Sequence, residues 1–316
     1  MAQVLSQPSI NHTNLVDVII PAYNASAYIR ETLASVAIQG SVLAKIIIVN
    51  DGSTDNTSEV VTQFAKEHPA LQVQIIDQVN AGLSAARNAG IRASTAPFIA
   101  LLDADDVWLD DKLSKQLQVF DQSSDDRLGL VYCAYGLINQ HSKRLPPSLG
   151  IIQPRLRGDV ARKLLTGNFI SGSGSAVLIK KAVITEIGLF DESLRAGEDW
   201  DMWLRIAQQF HFDYCPEELV LIRLHENNMQ KDSLRMLTAE LMILNKFYKS
   251  DRNNLFLLWK IRTILFNRQL STSSISDFEQ CHPKLKSQLS GIRLKLAFAM
   301  IYPLAQLAKG YLAIKK

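Results

Sequence analysis

The sequence contains few cysteines and no long apolar run. Its three cysteines, Cys133, Cys215 and Cys281, lie far apart and show no paired spacing. This distribution argues against a disulfide framework or a zinc site and favours a reducing compartment such as the cytosol. The N-terminus has no charged region followed by an apolar core, so we expect no signal peptide.

The tail of the chain is basic but too polar to cross a membrane. Residues 1–229 carry 19 Lys and Arg against 26 Asp and Glu, a net charge of −7, whereas residues 230–316 carry 15 against 5, a net charge of +10. The uncharged run 296–308 has 13 residues and contains Pro303, and a spanning helix needs about 20. The tail is predicted to be a helical extension. It would either contact an anionic membrane surface peripherally or pack on the catalytic domain or in a dimer, and we expect no nucleic acid partner.

Apolar runs alternate with helical patterns along the first third of the chain. Mainly apolar stretches predict strands at 16–20, 45–49, 73–77 and 98–102, the last a continuous apolar run, with helices between them. This alternation is typical of a mainly parallel α/β sheet flanked by helices. Pro21 is expected to close the first strand, because proline cannot donate to a ladder of hydrogen bonds.

The second third is more mixed. Its pattern predicts a helix over 113–120, a strand over 128–135, a loop over 140–158 and a strand over 176–179. A helix with an acidic first turn is predicted from Glu198.

Three carboxylates follow the fourth predicted strand within four positions: Asp103, Asp105 and Asp106. In open α/β sheets, ligands bind outside the carboxyl ends of the strands. Neighbouring carboxylates repel one another, so they call for a cation, and a divalent ion shared with substrate phosphates would supply it. The alternative is an acidic turn that caps the next helix, because Asp is a good N-cap.

Two other predicted strands end in polar clusters that should lie at the same edge of the sheet. They are Pro21–Asn24 and Asp51–Ser53, and consecutive βαβ units place such strand ends side by side. Tyr23 could offer a ring or a hydroxyl group to a base, and Asp51 could accept hydrogen bonds from a base or ribose. The alternative for Asp51 is a turn-forming role before Gly52.

These clusters resemble, in order, the motifs of glycosyltransferase family 2, whose members have the nucleotide-sugar-binding GT-A fold. The matching stretches are Pro21–Asn24, Asp51–Asp55, Asn80–Gly82 continuing to Ala86–Gly90, Asp103–Asp106, Gly188–Glu192 and Glu198–Arg205. Several spaced motifs in order are far more specific than any single one. The resemblance implies a GT-A catalytic domain over 16–229, in which 16–106 bind the nucleotide-sugar and 107–229 form the acceptor side. A flexible N-terminus (1–15) would precede it, and the helical extension (230–316) would follow it.

The resemblance also implies roles for individual residues. The donor-binding residues would be Pro21, Ala22, Tyr23, Asp51, Asn80, Gly82, Arg87, Asp103 and Ala104. Asp105 and Asp103 would hold Mn²⁺ or Mg²⁺, and His225 is a further candidate metal ligand. A structural role is the alternative for His225, because a lone histidine is more often a satisfied structural group.

Asp199 matches the catalytic base of the family. Glu198 and Asp199 could instead be acidic residues that complement the dipole of a helix, but the flanking match favours catalysis. Ser171, Gly172, Glu198 and Trp200 are predicted on the acceptor side. For Trp200 and Trp203, core packing is the alternative to stacking on a sugar.

The resemblance implies an inverting, metal-dependent glycosyltransferase that uses a nucleotide-diphosphate sugar, with a UDP-sugar as the expected donor. The acceptor would be a hydroxyl group of a glycan or a lipid-linked molecule in cell-envelope or exopolysaccharide synthesis, in the cytoplasm or at the cytoplasmic face of the membrane. No Arg-Trp pair occurs, unlike in the family's processive synthases, so transfer of one sugar or a short run is expected. A nucleotidyltransferase and a catalytically inactive sugar-nucleotide-binding protein remain the alternatives.

Overall fold

The structure, a computed structural model, describes residues 13–146, 153–170 and 173–225, together with the helical residues 236, 239, 240, 242–244, 246 and 247. The chain divides into two units, 1–231 and 232–316. The fold and the site described below belong to the first unit. Apart from those helical positions, the predicted extension 230–316 lies outside the described residues.

The described part of the first unit contains eight strands and seven helices. In chain order they are β1 (Val16–Ala22), α1 (Ile29–Ala37), β2 (Leu43–Asp51), α2 (Thr57–Glu67), β3 (Val73–Gln78), α3 (Leu83–Ala93), β4 (Phe98–Leu101), β5 (Val107–Trp108), α4 (Lys112–Gln122), β6 (Leu128–Asn139), α5 (Ala161–Leu164), β7 (Leu178–Lys180), α6 (Lys181–Ile187), α7 (Glu198–Ala207) and β8 (His211–Leu224). Short 3₁₀ helices lie at Gly40–Val42 and Ser173–Ala176.

All eight strands join one sheet in the order β3-β2-β1-β4-β7-β6-β8-β5. The strands β3, β2, β1 and β4 are parallel to their neighbours, and β6 is parallel to β8. The short strand β7 runs antiparallel to both β4 and β6, and β5 runs antiparallel to β8. The prediction of a mainly parallel sheet flanked by helices is confirmed.

Strand β1 is buried on both faces of the sheet. Val18 and Ile20 belong to a hydrophobic cluster that includes Leu33 of α1. Ile19 points to the opposite face, where it meets Gly90 of α3. Because helices cover both faces, β1 is apolar on both faces rather than alternating, with the exception of Asp17, whose Oδ2 accepts from the backbone nitrogens of Thr95 and Ala96.

The prediction that Pro21 closes the first strand is wrong, because β1 continues to Ala22. Pro21 pairs with Val49 of β2. The carbonyl of Ile19 accepts a hydrogen bond from the backbone nitrogen of Leu102, and Pro21, two residues on, points to the same side. The pairing of β1 with β4 ends at Ile19 and Leu101. Pro21 therefore has no β4 residue to pair with, and its lack of an N–H costs no hydrogen bond in the sheet.

The described part of the chain begins at residue 13, within the stretch 1–15 that is predicted to be flexible. The backbone nitrogens of Asn14 and Leu15 donate to the carbonyls of Ser41 and Val42, at 2.8 and 2.9 Å. The earlier residues 1–12 lie outside the described part of the chain.

The sequence pattern predicts no strand at 211–224, where β8 forms. This strand contains Pro216, Glu217 and Glu218, which interrupt its apolar pattern. The register against β6 shifts between Cys133 and Ala134, so the polar stretch is accommodated by an irregularity in the ladder.

We predict that Gly90→Ala destabilises the fold. A Cβ atom at position 90 would lie 2.4 Å from Cγ2 of Ile19, so α3 or β1 would have to move, and such overpacking costs about 1–3 kcal/mol. Urea unfolding measures the loss. Arg92→Ala, an exposed change in the same helix, is the control and should alter the free energy of unfolding by less than about 0.5 kcal/mol. Unchanged stability of Gly90→Ala would contradict a tight contact between helix and strand.

Candidate functional site

The carboxyl ends of β1, β2 and β4 lie side by side at one edge of the sheet. β1 pairs with β2 as far as Ala22 and Asn50, and with β4 as far as Ile19 and Leu101. The segments that follow these strands therefore converge, and they carry the three polar clusters that the sequence singled out.

The segments after β1 and β2 are locked together by side chain to backbone hydrogen bonds. Oδ1 of Asn24 accepts from the backbone nitrogen of Thr54 at 2.8 Å, and the hydroxyl of Ser53 accepts from the backbone nitrogen of Asn24 at 3.0 Å. Asn24 has a φ of 49°, a left-handed conformation that asparagine tolerates. Tyr23 lies beside this lock with 54% of its surface exposed, whereas Pro21 is buried in β1.

The carboxylate of Asp51 holds the loop that leads into α3. Oδ1 accepts from Nε2 of Gln78 at 2.6 Å and from the backbone nitrogen of Ala81 at 2.9 Å, and Oδ2 accepts from the backbone nitrogen of Gly82 at 2.9 Å. Asp51 is 3% exposed, while Asn80 on the same loop is exposed. Gly82 has a φ of 95°, which favours glycine at this turn.

The three acidic side chains after β4 are crowded. The hydroxyl of Ser175 donates to Oδ2 of Asp106 at 2.6 Å and accepts from the backbone nitrogen of Asp103 at 3.0 Å. Burial and the charges of Asp105 and Asp103 raise the pKa of Asp106 well above its usual range. Burial and the charge of Asp103 also raise the pKa of Asp105. A cation near this loop would therefore relieve an unfavourable concentration of negative charge.

Arg87 of α3 joins this acidic loop to the start of α7. Its Nη2 lies 2.8 Å from Oδ1 of Asp103, and its Nη1 lies 2.8 Å from Oε1 of Glu198. Arg87 has no exposed surface. Burial alone would lower the pKa of its guanidinium, but the charges of Asp103 and Glu198 outweigh burial and raise it. Arg87, predicted to bind the donor, thus contacts one acidic residue after β4 and one at the start of α7.

Asp199 follows Glu198 in the first turn of α7 and is partly exposed. Its Oδ2 accepts a hydrogen bond from Nδ2 of Asn168 at 3.1 Å, and its Oδ1 accepts from the backbone nitrogen of Trp200 at 2.7 Å. Burial and the charge of Glu198 raise the pKa of Asp199 to about 7, although Arg87 acts in the opposite direction. A carboxyl group with such a pKa can exchange protons near neutral pH.

The end of β8 binds the acidic loop from the other side. Nε2 of His225 lies 2.8 Å from Oδ2 of Asp105, and its ring stacks on Tyr28 with the centroids 5.3 Å apart. Arg223 is fully buried. Its Nε donates to the carbonyl of Asp105 at 2.7 Å, and its backbone nitrogen donates to Oδ1 of Asp106 at 3.0 Å.

Other predicted site residues lie in the interior or outside the described chain. Ala104 is buried, and its carbonyl accepts from the hydroxyl of Thr32 at 2.9 Å. Trp200 is 5% exposed, and its Nε1 donates to the carbonyl of Leu164 at 2.8 Å. Ser171 and Gly172 lie outside the described residues. The acceptor-side roles of Glu198 and Trp200 stay predictions.

Two residues of this cluster carry no role in the sequence-based prediction. Ser175 lies in the Ser-Gly-Ser-Gly-Ser segment, whose repeated small residues were the available sign of a close backbone approach. Asn168 follows Gly167, a pairing common in ordinary turns, so its contact with Asp199 could be found only in three dimensions.

The residues around Asp105 fit a divalent ion whose coordination is completed by the substrate. Among the described residues, no group of three or more His, Cys, Asp or Glu side chains is arranged to hold a metal ion. Asp105 and His225 nevertheless meet beside Asp103, and magnesium is usually bound by one or two carboxylates together with phosphate oxygens and water. These side chains therefore fit a metal ion whose remaining ligands come from a diphosphate.

Two solved structures share this fold. S. aureus TarS, residues 1–349 in complex with UDP-GlcNAc, has a TM-score of 0.63 and 17% identity, over 90% of this chain and 87% of that one. The mannosyltransferase PcManGT of Pyrobaculum calidifontis, in complex with GDP-Man and Mn²⁺, has a TM-score of 0.59 and 16% identity, over 96% and 90%. The protein has the GT-A fold of glycosyltransferases.

Sequence comparison then identifies the family. The model described as "Glycosyl transferase family 2" matches residues 17–188. An uncharacterized glycosyltransferase of Rickettsia prowazekii is 30% identical over 233 residues, 72% of this chain and 69% of that protein. The putative teichuronic acid biosynthesis glycosyltransferase TuaG of Bacillus subtilis is 28% identical over 223 residues, 70% of this chain and 84% of TuaG. The chain belongs to glycosyl transferase family 2 and is a glycosyltransferase.

The described part of the chain contains no helix with the length and apolar character needed to cross a membrane.

We predict that Arg87→Met lowers the free energy of unfolding by about 3–5 kcal/mol, because it leaves Glu198 buried without its cation. Urea unfolding measures the loss. Glu198→Gln in the Arg87→Met background should restore part of the stability, since it removes the unpaired charge. Losses that simply add in the double variant would contradict the ion pair as the cause.

Proposed function

We propose that the protein is an inverting, divalent-metal-dependent glycosyltransferase. It moves a sugar from a nucleotide-diphosphate sugar, expected to be a UDP-sugar, to a hydroxyl group of a glycan or lipid-linked acceptor. The observation that carries the proposal is the Arg87 bridge, which joins Asp103 to Glu198. Through this bridge the acidic loop lies near Asp199. The acidic loop is suited to hold a diphosphate together with its cation, and Asp199 is suited to accept a proton.

Asp199 is the proposed general base. It takes the proton from the acceptor hydroxyl while that oxygen attacks the anomeric carbon. The bond to the diphosphate breaks on the opposite face of the sugar, so one displacement inverts the anomeric centre, with the base placed as in inverting glycosidases. A pKa of about 7 suits this role, because the group is a stronger base than an ordinary aspartate and is still ionised in part near neutral pH.

Asp105, Asp103 and His225 are the proposed ligands of Mn²⁺ or Mg²⁺, and a diphosphate would have to complete the site, because these side chains are not arranged as a metal site by themselves. The bound ion would neutralise charge on the leaving diphosphate. The crowding of carboxylates after β4 supports this assignment, and PcManGT offers a GT-A structure that contains Mn²⁺.

A uracil nucleotide is the proposed donor, with Asp51 beside its base or ribose. A carboxylate has about four acceptor positions, and three at Asp51 are taken by Gln78, Ala81 and Gly82. The remaining position can accept a hydrogen bond from a base N–H or from a ribose hydroxyl. The exposed ring of Tyr23 is the proposed stacking partner, and TarS was solved with UDP-GlcNAc.

The acceptor is proposed to be an intermediate of cell-envelope or exopolysaccharide synthesis, handled in the cytoplasm or at the cytoplasmic face of the membrane. TuaG, a relative over most of its length, is named as a putative teichuronic acid biosynthesis glycosyltransferase. The basic extension 230–316, with its net charge of +10, is the proposed peripheral membrane contact.

Incubation with UDP-sugars, an acceptor and Mn²⁺ tests the reaction, and release of UDP is expected. Asp199→Asn should lower turnover by about 10²–10⁴-fold and leave UDP affinity nearly unchanged. The wild-type rate should rise with pH through about 7 as Asp199 ionises. Wild-type turnover in Asp199→Asn would contradict the base assignment, and pyrophosphate release would indicate nucleotidyl transfer instead.

The stability of the same variant provides a control. The pKa of Asp199 is raised from 3.8 to about 7 in the folded protein, so folding favours the protonated group. Its contribution to stability is complete below pH 3.8 and is lost as the pH rises through about 7. Asp199→Asn should flatten this part of the stability profile.

We predict that Asp105→Ala weakens UDP binding roughly ten-fold or more when Mn²⁺ is present and has little effect when it is absent. Calorimetric titration with and without Mn²⁺ measures both affinities. Asp110→Ala removes an exposed acid beyond the acidic loop and is the control. An equal loss of affinity with and without Mn²⁺ would rule out metal binding as the role of Asp105.

A further inference from the structure

We infer that Asn168 is a positioning residue that holds the carboxylate of Asp199 in the orientation from which it takes the proton of the acceptor. The inference rests on the proposed function, because it requires Asp199 to be the base. It assigns a role to the loop between α5 and the 3₁₀ helix at Ser173–Ala176.

The hydrogen bonds of Asn168 determine which way its amide faces. Oδ1 accepts from the backbone nitrogen of Ile170 at 3.2 Å, and Nδ2 donates to Oδ2 of Asp199 at 3.1 Å. A flipped amide would set its NH₂ group against the N–H of Ile170 and its oxygen against a carboxylate oxygen. The observed orientation alone satisfies both contacts.

The two oxygens of Asp199 are therefore held by different elements. Oδ1 accepts from the backbone nitrogen of Trp200 inside α7, and Oδ2 accepts from the loop residue Asn168. Rotation of the carboxylate about its Cβ–Cγ bond would break both bonds at once. Each oxygen still has an acceptor position left for the acceptor hydroxyl.

The loop that carries Asn168 is itself anchored on α7. Nε1 of Trp200 donates to the carbonyl of Leu164 at 2.8 Å, just before the loop, and Ile170 at its other end has no exposed surface. Asn168 is thus fixed relative to the helix whose first turn it contacts. Supporting bonds of this kind are what keep a reactive group within a narrow range of positions.

A neutral donor is the suitable partner at this position. The charged groups that act on Asp199 are Glu198 on the same helix, Arg87 from α3 and Asp103 from the loop after β4. A second cation in place of Asn168 would lower the pKa of Asp199 and weaken it as a base. The neutral amide orients the carboxylate and lowers its pKa less than a cation at the same position would.

The test compares Asn168→Ala, Asn168→Ser and Asn168→Asp with the wild type, by kcat, donor KM and the pH profile of turnover. Removing a hydrogen bond to a charged group should lower kcat by about 10–100-fold with donor KM nearly unchanged. The midpoint of the profile should move to higher pH in Asn168→Ala, since the ionised form loses a donor, and further in Asn168→Asp, where a second carboxylate faces the first. Asn168→Ser, which keeps a short donor, should recover part of kcat.

Thr166→Ala is the matched control. Thr166 is exposed on the same loop and its hydroxyl donates to the carbonyl of Lys163, so loosening the loop there should leave the pH midpoint unchanged. If the Asn168 variants lower kcat equally at every pH, or shift the midpoint no more than Thr166→Ala, the inference is overturned.

The background of Asp199→Asn separates this inference from the proposed function. If Asn168 acts through Asp199, Asn168→Ala should cause no further loss of turnover in that background. A full additional loss would overturn the positioning role. Absence of sugar transfer by the wild-type protein, or wild-type turnover of Asp199→Asn, would instead refute the proposed function.

Discussion

One buried guanidinium links the two acidic parts of the site. Arg87 reaches Asp103 with one nitrogen and Glu198 with another, and it has no exposed surface. In a buried environment a charged group is costly unless it is paired, so the positions of the acidic loop and the first turn of α7 depend on the same side chain. Asn88, the next residue of α3, adds a neutral contact by accepting from the backbone nitrogen of Phe190. The acidic loop after β4 and the segment that leads into α7 are thus joined through one helix.

The acidic loop keeps its shape through contacts to its backbone. The hydroxyl of Thr32 donates to the carbonyls of Ala104 and Asp106, and Nε of Arg223 donates to that of Asp105. These contacts come from α1 and from the end of β8, which are far apart in the sequence. Because the backbone is held from both sides, the carboxylates can remain close together despite their mutual repulsion, and the loop can be ready for a cation before one binds.

The parts of the site that depend on local pattern could be predicted from the sequence. Asp103 ends an apolar run, so its position at a sheet edge follows from strand patterning. The contact between Arg87 and Glu198 could not be predicted in the same way, because the two residues lie 111 positions apart. In addition, the sequence allowed Glu198 and Asp199 to be acidic residues that only complement a helix dipole. Strand β8 was missed for a related reason, since its polar centre hides the pattern and its place in the sheet depends on pairing with β6. Pro21 shows that the expectation that proline ends a strand depends on whether a neighbouring strand lies on the side to which its backbone nitrogen points.

The two halves of the sheet meet at a narrow joint. Within the sheet, three residue pairs between β4 and β7 join the parallel half, which leads to Asp51 and Asp103, to the half formed by β7, β6, β8 and β5. Because this ladder is short, side-chain bonds that cross the joint, such as the one from Arg223 of β8 to the carbonyl of Asp105, also contribute to holding the two halves together.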